Sequence, residues 1–222
     1  MILLHLLMTT VDVHIEISKI SCIKYEIDHE TKRLVCDRIL HGPFKYLFNY
    51  GYIPNTLSPD GDALDAVVLC EHSLHPTCYV KCKIIGALIT EDEKGIDNKL
   101  ILVPDDTIDK ESTRVNNISN VTESTLDTIK YFFERYKDLE PNKFVNVKEF
   151  VNAETAVKIY NECVELYVKC KKLQYNHQMG LQTCSTLSID DPELYQTIMN
   201  SSITDLRDLL EVQHVEKTSE SL

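Results

Sequence analysis

Asp60-Gly61-Asp62-Ala63-Leu64-Asp65 places three carboxylates within six residues, directly ahead of the apolar run Ala66-Val-Val-Leu69. Carboxylates this close repel one another, and a folded loop tolerates them best when cations offset the charge. Hard divalent ions such as Mg²⁺ take oxygen ligands of this type. Gly61 allows a tight turn between the first two acids. Taken alone, the segment also reads as an acidic turn facing solvent. A calcium EF-hand is a poorer match. Asp60, Asp62 and Glu71 would fill its first, third and last positions, but Asp65 stands where that loop needs glycine.

A second acidic group, Glu91-Asp92-Glu93, is followed by Asp97 and Lys99. Alternation puts Asp97 and Lys99 on one side of a strand start. A carboxylate beside an ammonium suits a site that holds a metal together with its bound anion. By itself the segment reads equally as a solvated hairpin tip. The third set comprises Lys24, Arg38, Tyr46, Tyr50, Tyr136 and Lys137. Arginine binds phosphate oxygens as a planar fork and lysine as a point charge. Tyrosine hydroxyls donate to the same oxygens. Any one of these residues alone has a core or surface role as its ordinary reading. Together the three sets describe a pocket suited to metal-assisted phosphoryl transfer to water. The sequence carries no P-loop, no G-x-G-x-x-G and no Ser/His or Cys/His nucleophile pair.

The elements that must position these groups are mostly strands. Val13, Ile15 and Ile17 alternate with His14 and Glu16, and Ile23, Tyr25 and Ile27 alternate with Lys24, Glu26 and Asp28. Period two predicts half-buried strands with charges projecting from one side. Asp28–Lys32 reads as a turn into a strand over 33–40. Residues 42–62 read as irregular loop around short strands. Further strands are predicted over 66–70, 79–90 and 99–103. Leu126, Ile129, Phe133 and Tyr136 recur at helical spacing, and a second helix is predicted from Ala153 to Leu173 with Asn152 as its N-cap. A β core followed by helices is an α+β layout.

With 222 residues the chain is long enough for one domain with a proper core. The division expected is a leader at 1–10, a catalytic domain at 11–174 and a partly helical C-terminal extension at 175–222. The formal net charge of -12 argues against nucleic acid, whose binding rests on lysines and arginines. No run is apolar and long enough to span a bilayer, and the apolar start lacks a basic n-region. The eight cysteines form no C-x-x-C pair and read as reduced thiols of a cytoplasmic protein.

At this point the sequence resembles the soluble family I inorganic pyrophosphatases. The resemblance is carried by Ile15-Glu-Ile17, Ile23-Lys-Tyr-Glu-Ile-Asp28, Asp37-Arg38, Asn49-Tyr-Gly-Tyr-Ile53, Asp60-Gly-Asp-Ala-Leu-Asp65, Asp92-Glu-Lys-Gly-Ile-Asp-Asn-Lys99 and Phe132-Phe-Glu-Arg-Tyr-Lys-Asp-Leu-Glu140. It covers residues 11–173, in the family's order, and the length is similar to the compact prokaryotic type. The resemblance implies a five-stranded OB-like β-barrel with flanking α-helices. It also implies Mg²⁺, several ions per site, and pyrophosphate as substrate. By the same resemblance Asp60, Asp65 and Asp97 hold the first metal, with Asp65 shared with the second. Asp92, Asp97 and Glu26 take metals arriving with substrate. Asp62 is the general base. Lys24, Arg38, Tyr136 and Lys137 bind phosphate, with Tyr46 and Lys99 assisting. Glu16, Tyr50 and Glu93 support from behind.

Several positions depart from the family pattern. Ala63 and Leu47 stand where proline is usual, and Phe144 stands where tryptophan is usual. Tyr131 and Arg135 lie where some bacterial members carry histidines at a subunit contact. The resemblance implies a homo-oligomer, and these departures at the contact leave hexamer and dimer both open. A phosphohydrolase acting on a larger polyphosphate or nucleotide is a second reading, and a silent metal or phosphate binder a third. Asp62 between Asp60 and Asp65 speaks against the silent binder, which needs no general base.

Overall fold

A computed structural model describes residues 9–28 and 31–177, with side chains through Lys171. Residues 1–8 of the expected leader and the extension beyond His177 lie outside the described residues, while Thr10, placed in the leader, begins the first strand. The site discussed below lies within the compact unit Met1–Val164.

The strands are β1 (Thr10–Ile17), β2 (Ile23–Ile27), β3 (Leu34–Ile39), β4 (Asn49–Tyr52), β5 (Asp65–Val68), β6 (Tyr79–Asp92), β7 (Gly95–Ile96), β8 (Lys99–Pro104) and β9 (Val145–Asn152). The helices are α1 (Glu123–Arg135) and α2 (Ala153–His177). The main sheet is mixed. It runs β1-β4-β5-β8-β6, and β1 also pairs with β6, so these strands close into a hydrogen-bonded ring. β7 and β9 extend the sheet from β6, so the sheet has seven strands, five of them in the ring. β2 and β3 form a separate hairpin.

The apolar runs of β5 and β8 feed two cores from alternate residues. Ala66, Val68, Leu100 and Leu102 join Val13, Ile15, Ala156 and Cys163 in one core. Val67, Ile101 and Val103 join Tyr46, Phe48, Ile129, Phe132 and Phe133 in the other. A strand covered on both faces needs no polar alternation, which is why these segments read as continuous hydrophobic runs. α1 contributes Ile129, Phe132 and Phe133 at helical spacing, and Thr122 caps its N-terminus by accepting from the Thr125 N–H. Asn152 caps α2 as expected, accepting from the Thr155 N–H at 3.0 Å.

Three features differ from the sequence reading. β9 was not expected, although it pairs with most of the outer half of β6. His14 and Glu16 are buried rather than facing solvent. Cys170 is disulfide-bonded, whereas the six cysteines up to Cys163 are free thiols as expected.

β1 and β4 approach so closely that position 51 admits only glycine. A Cβ there would lie 1.9 Å from the His14 carbonyl oxygen. Gly51→Ala must therefore push apart two strands of the closed ring. A stability loss of at least about 3 kcal/mol is expected, at the upper end of overpacking effects. Urea unfolding with an unchanged midpoint would contradict this packing.

Candidate active site

The acidic loop sits between β4 and β5 and is shaped by its own backbone. The Ser58 N–H donates to the Asp62 carbonyl at 2.7 Å, and the Gly61 N–H to the Ser58 carbonyl at 3.0 Å. Gly61 has φ of 90°, a left-handed conformation that favours glycine. The Asp62 N–H donates to Asp60 Oδ1 at 3.1 Å. Asp60 is buried while Asp62 is half-exposed, so neighbouring acids meet different solvent. Burial, with repulsion from Asp65 and Asp62, pushes the Asp60 carboxyl up to about 6.

β8 delivers Lys99 into the middle of the cluster. Its ammonium donates to Asp65 Oδ2 at 2.5 Å and to Asp97 Oδ1. Lys99 is 2% exposed. Burial alone would lower its pKa, but the two carboxylates outweigh burial and hold it charged, above the ordinary lysine value. Burial pushes Asp97 up; Lys99 opposes that shift, and repulsion from Asp65 and Asp60 reinforces it.

The β6–β7 hairpin supplies the other wall. Lys137, just beyond α1, donates to Asp92 Oδ2 at 3.0 Å and to Glu93 Oε2 at 3.4 Å. Burial would raise the Glu93 carboxyl, but its own N–H, Lys143 and Lys137 together hold it down at about 2. Lys94 reaches across from this hairpin and donates to Asp62 Oδ2 at 2.9 Å.

The β2–β3 hairpin aligns Lys24 opposite Arg38. Lys24 pairs with Glu26, and lies 3.4 Å from Asp37 Oδ2. Arg38 Nε donates to Glu140 Oε1 at 2.8 Å, and its Nη1 pairs with Asp37. Glu16 ties this hairpin to the ring: its Oε1 accepts from the Ile27 N–H at 2.8 Å. Tyr46, Tyr50 and Tyr136 are buried together with Phe132 and Phe133, and the Phe132 and Tyr136 rings stack with centroids 5.0 Å apart. Burial raises all three phenols well above their ordinary value, so each keeps its proton for donation.

The contacts set the sequence-predicted residues in distinct groups: Lys24, Glu26 and Arg38 with Asp37 and Glu140; Asp65 and Asp97 on Lys99; Asp62, Asp92, Glu93 and Lys137 around Lys94; and the three tyrosines in the aromatic core. Two contributors were quoted in the sequence without a role. Lys94 bridges to Asp62, and Glu140 orients Arg38. Their partners are distant along the chain, and only the fold brings them close.

Burial, helped by repulsion from Asp65 and Glu26 and opposed by the Ile27 N–H and Lys24, has a measurable consequence at Glu16, whose carboxyl rises to about 8. Such an acid stays protonated in the folded protein while the unfolded chain is already charged. The stability it contributes is therefore present at low pH and is lost as pH rises from the ordinary carboxylate range to about 8. In chelator, the melting temperature is expected to fall over that window, and Glu16→Gln should flatten part of the fall. An identical slope in the variant would contradict the burial assigned to this group.

The donor set fits a hard divalent cation. Asp60, Asp62, Asp65, Asp92 and Asp97 offer only oxygen, and a cation would offset both the burial that pushes Asp60 up and the repulsion from Asp65 and Asp62 that adds to it. Among the described residues no three acids are gathered into a formed cage. Lys99 stands between Asp65 and Asp97, and Lys94 stands on Asp62.

The closed ring and the hairpins beside it bring carboxylates, lysines, an arginine and buried phenols together in one region of an α+β fold. Comparison with known proteins identifies the family. The inorganic pyrophosphatase family model matches residues 13–168. The inorganic pyrophosphatase of Helicobacter pylori is 49% identical over 153 residues, 69% of this chain and 88% of that protein. That of Nanoarchaeum equitans is 50% identical over 155 residues, 70% of this chain and 96% of the relative. Among solved structures, the Helicobacter pylori enzyme aligns with a TM-score of 0.70 at 48% identity, covering 72% of this chain and 94% of that one. Inorganic pyrophosphatase from Thermus thermophilus aligns with a TM-score of 0.69 at 36% identity, covering 72% and 91%. The chain belongs to the inorganic pyrophosphatase family.

Proposed function

We propose that this protein hydrolyses inorganic pyrophosphate to two phosphates, with Mg²⁺ as its cofactor and a carboxylate as general base. The observation that carries the proposal is the Asp60–Asp62–Asp65 loop, joined through Lys99 to Asp97 and through Lys94 to the Asp92 hairpin. Asp60, Asp65 and Asp97 would hold one ion, Asp65 would share a second, and Asp92, Asp97 and Glu26 would hold ions that enter with substrate. Mg²⁺ bound there supplies charge neutralisation and acidifies water near neutral pH.

The chain's own groups do the rest. Asp62 is the half-exposed acid of its loop, with one oxygen held by Lys94. It is placed to take the proton of the attacking water. Lys24, Arg38, Tyr136 and Lys137 bind the phosphate oxygens, with Tyr46 and Lys99 assisting. Their positive charge and phenolic donors stabilise charge that builds on the departing phosphate. Glu140 and Asp37 hold the guanidinium of Arg38, which keeps its fork oriented. Glu16, Tyr50 and Glu93 act through the groups they touch.

The closed ring supports an OB-like barrel as the finer description of the fold. The catalytic domain is read as residues 11–174, the protein as cytoplasmic, and the assembly as a homo-oligomer, hexamer or dimer. Tyr131 on α1 is 61% exposed and suits a contact with a second copy. Among the described residues no helix is long and apolar enough to cross a membrane.

Phosphate release from pyrophosphate, tripolyphosphate and ATP in Mg²⁺ tests the substrate. Pyrophosphate is expected to be cleaved at least about a hundredfold faster than the others, because a site built to pair both phosphates leaves buried polar groups unmet by a misfit. Equal or greater rates on ATP would favour the broader phosphohydrolase reading.

A further inference from the structure

Lys94 has no part in the proposed mechanism, yet it bridges the two acidic elements of the site. Its ammonium donates to Asp62 Oδ2 at 2.9 Å. Its backbone N–H donates to Asp92 Oδ1 at 2.8 Å. The acids acting on it are Asp62 first, then Asp60 and Asp92. One residue therefore faces carboxylates from both the loop before β5 and the tip of β6.

The hairpin aims this side chain. Asp92 pairs with Gly95, so Glu93 and Lys94 form a two-residue turn, and Gly95 adopts φ of 121° to allow it. Glu93 is anchored on its other side by Lys143 at 3.0 Å and Lys137 at 3.4 Å. With the tip pinned, Lys94 projects toward the loop instead of sweeping freely through solvent. Lys99, itself buried, neutralises the partly buried pair Asp65 and Asp97. Lys94 neutralises the more exposed acid, Asp62, at the open side.

We infer that Lys94 is a built-in counter-ion that competes with divalent cations for the acidic loop and so sets how tightly the site binds them. The inference rests on the reading of that loop as the cation site. An ammonium and a divalent ion cannot both approach the same carboxylates without mutual repulsion, so any ion entering beside Asp62 must displace or repel Lys94. Because Lys94 and Asp62 are both about half-exposed, solvent screens the competition and its effect is moderate. It should also weaken as salt is raised.

Isothermal titration of Mg²⁺ into chelator-stripped, dialysed protein at low ionic strength tests this. Lys94→Ala is expected to bind about 3- to 10-fold more tightly than wild type, a size set by a half-exposed ion pair. Lys94→Arg should stay within about twofold of wild type, because the charge remains. Lys148→Ala removes an equally exposed lysine that pairs with Glu91, and serves as the charge control. Unchanged or weaker binding in Lys94→Ala would overturn the inference. Equal tightening in Lys148→Ala would overturn it too, by reducing the effect to net charge. Absence of saturable Mg²⁺ binding in wild type would instead overturn the cation-site reading, and this inference with it.

Discussion

Asp62→Asn is expected to lower pyrophosphate hydrolysis by about a hundred- to ten-thousand-fold, the span typical of losing a general base. The substitution is nearly isosteric and falls on a half-exposed side chain. The Asp62 N–H bond to Asp60 Oδ1 at 3.1 Å is a backbone bond and survives it. The Ser58 N–H bond to the Asp62 carbonyl survives for the same reason. Loop shape, melting temperature and phosphate binding should therefore stay close to wild type while turnover collapses. The neighbouring acids would not respond alike: Asp60 is buried and held near 6 by its surroundings, so replacing it alters the loop's charge balance as well as its chemistry. A variant Asp62→Asn that turns over at the wild-type rate would remove Asp62 from the mechanism.

Lys99→Met is expected to be the most damaging single change to stability. Lys99 is 2% exposed and is the shared partner of Asp65 and Asp97. Methionine fills similar space but leaves two acids together without their cation. Breaking a buried pair in this way costs about 3–5 kcal/mol. For a domain of this size that corresponds to a melting temperature lower by roughly 6–20 °C. The loss should depend on pH in a defined direction. Burial already pushes Asp97 up against the pull of Lys99, so without that ammonium Asp97 holds its proton to still higher pH when folded than when unfolded. Stability then falls as pH rises above the ordinary carboxylate range. The gap between variant and wild type should be widest near pH 7 and narrow toward pH 4. Mg²⁺ should recover part of it by binding only the folded form. A variant as stable as wild type at pH 7 in chelator would contradict the pairing of buried Lys99 with the two acids.

The strands that carry the site were legible because their patterns are local. β5 and β8 are short apolar runs, and β2 alternates cleanly. β9 was missed because its alternation is interrupted. Its pairing with β6 shifts register between Leu88 and Thr90, so Val145 and Val147 fall out of phase with Phe150. The alternation of β1 was read correctly, but its polar side was assigned to solvent. The β2–β3 hairpin instead meets that side through the bond from Ile27 to Glu16, and burial follows. The acids of the site could be recognised by type and order, since three of them share one short loop. Lys99 beside Asp97 was legible as well, and that pair forms; the partners of Lys94 and Arg38 were not. Lys94 lies 32 residues from Asp62, and Arg38 lies 102 residues from Glu140, so no spacing rule connects them.

Phosphate release from pyrophosphate, measured with purified protein in Mg²⁺ and again in EDTA, tests the central claim most directly. The expected result is rapid release in Mg²⁺ and loss of at least about a hundredfold of that rate in EDTA, since the acidic cluster needs cations to activate water and neutralise substrate. Equal rates in both conditions, or no release from folded protein that binds Mg²⁺, would contradict it.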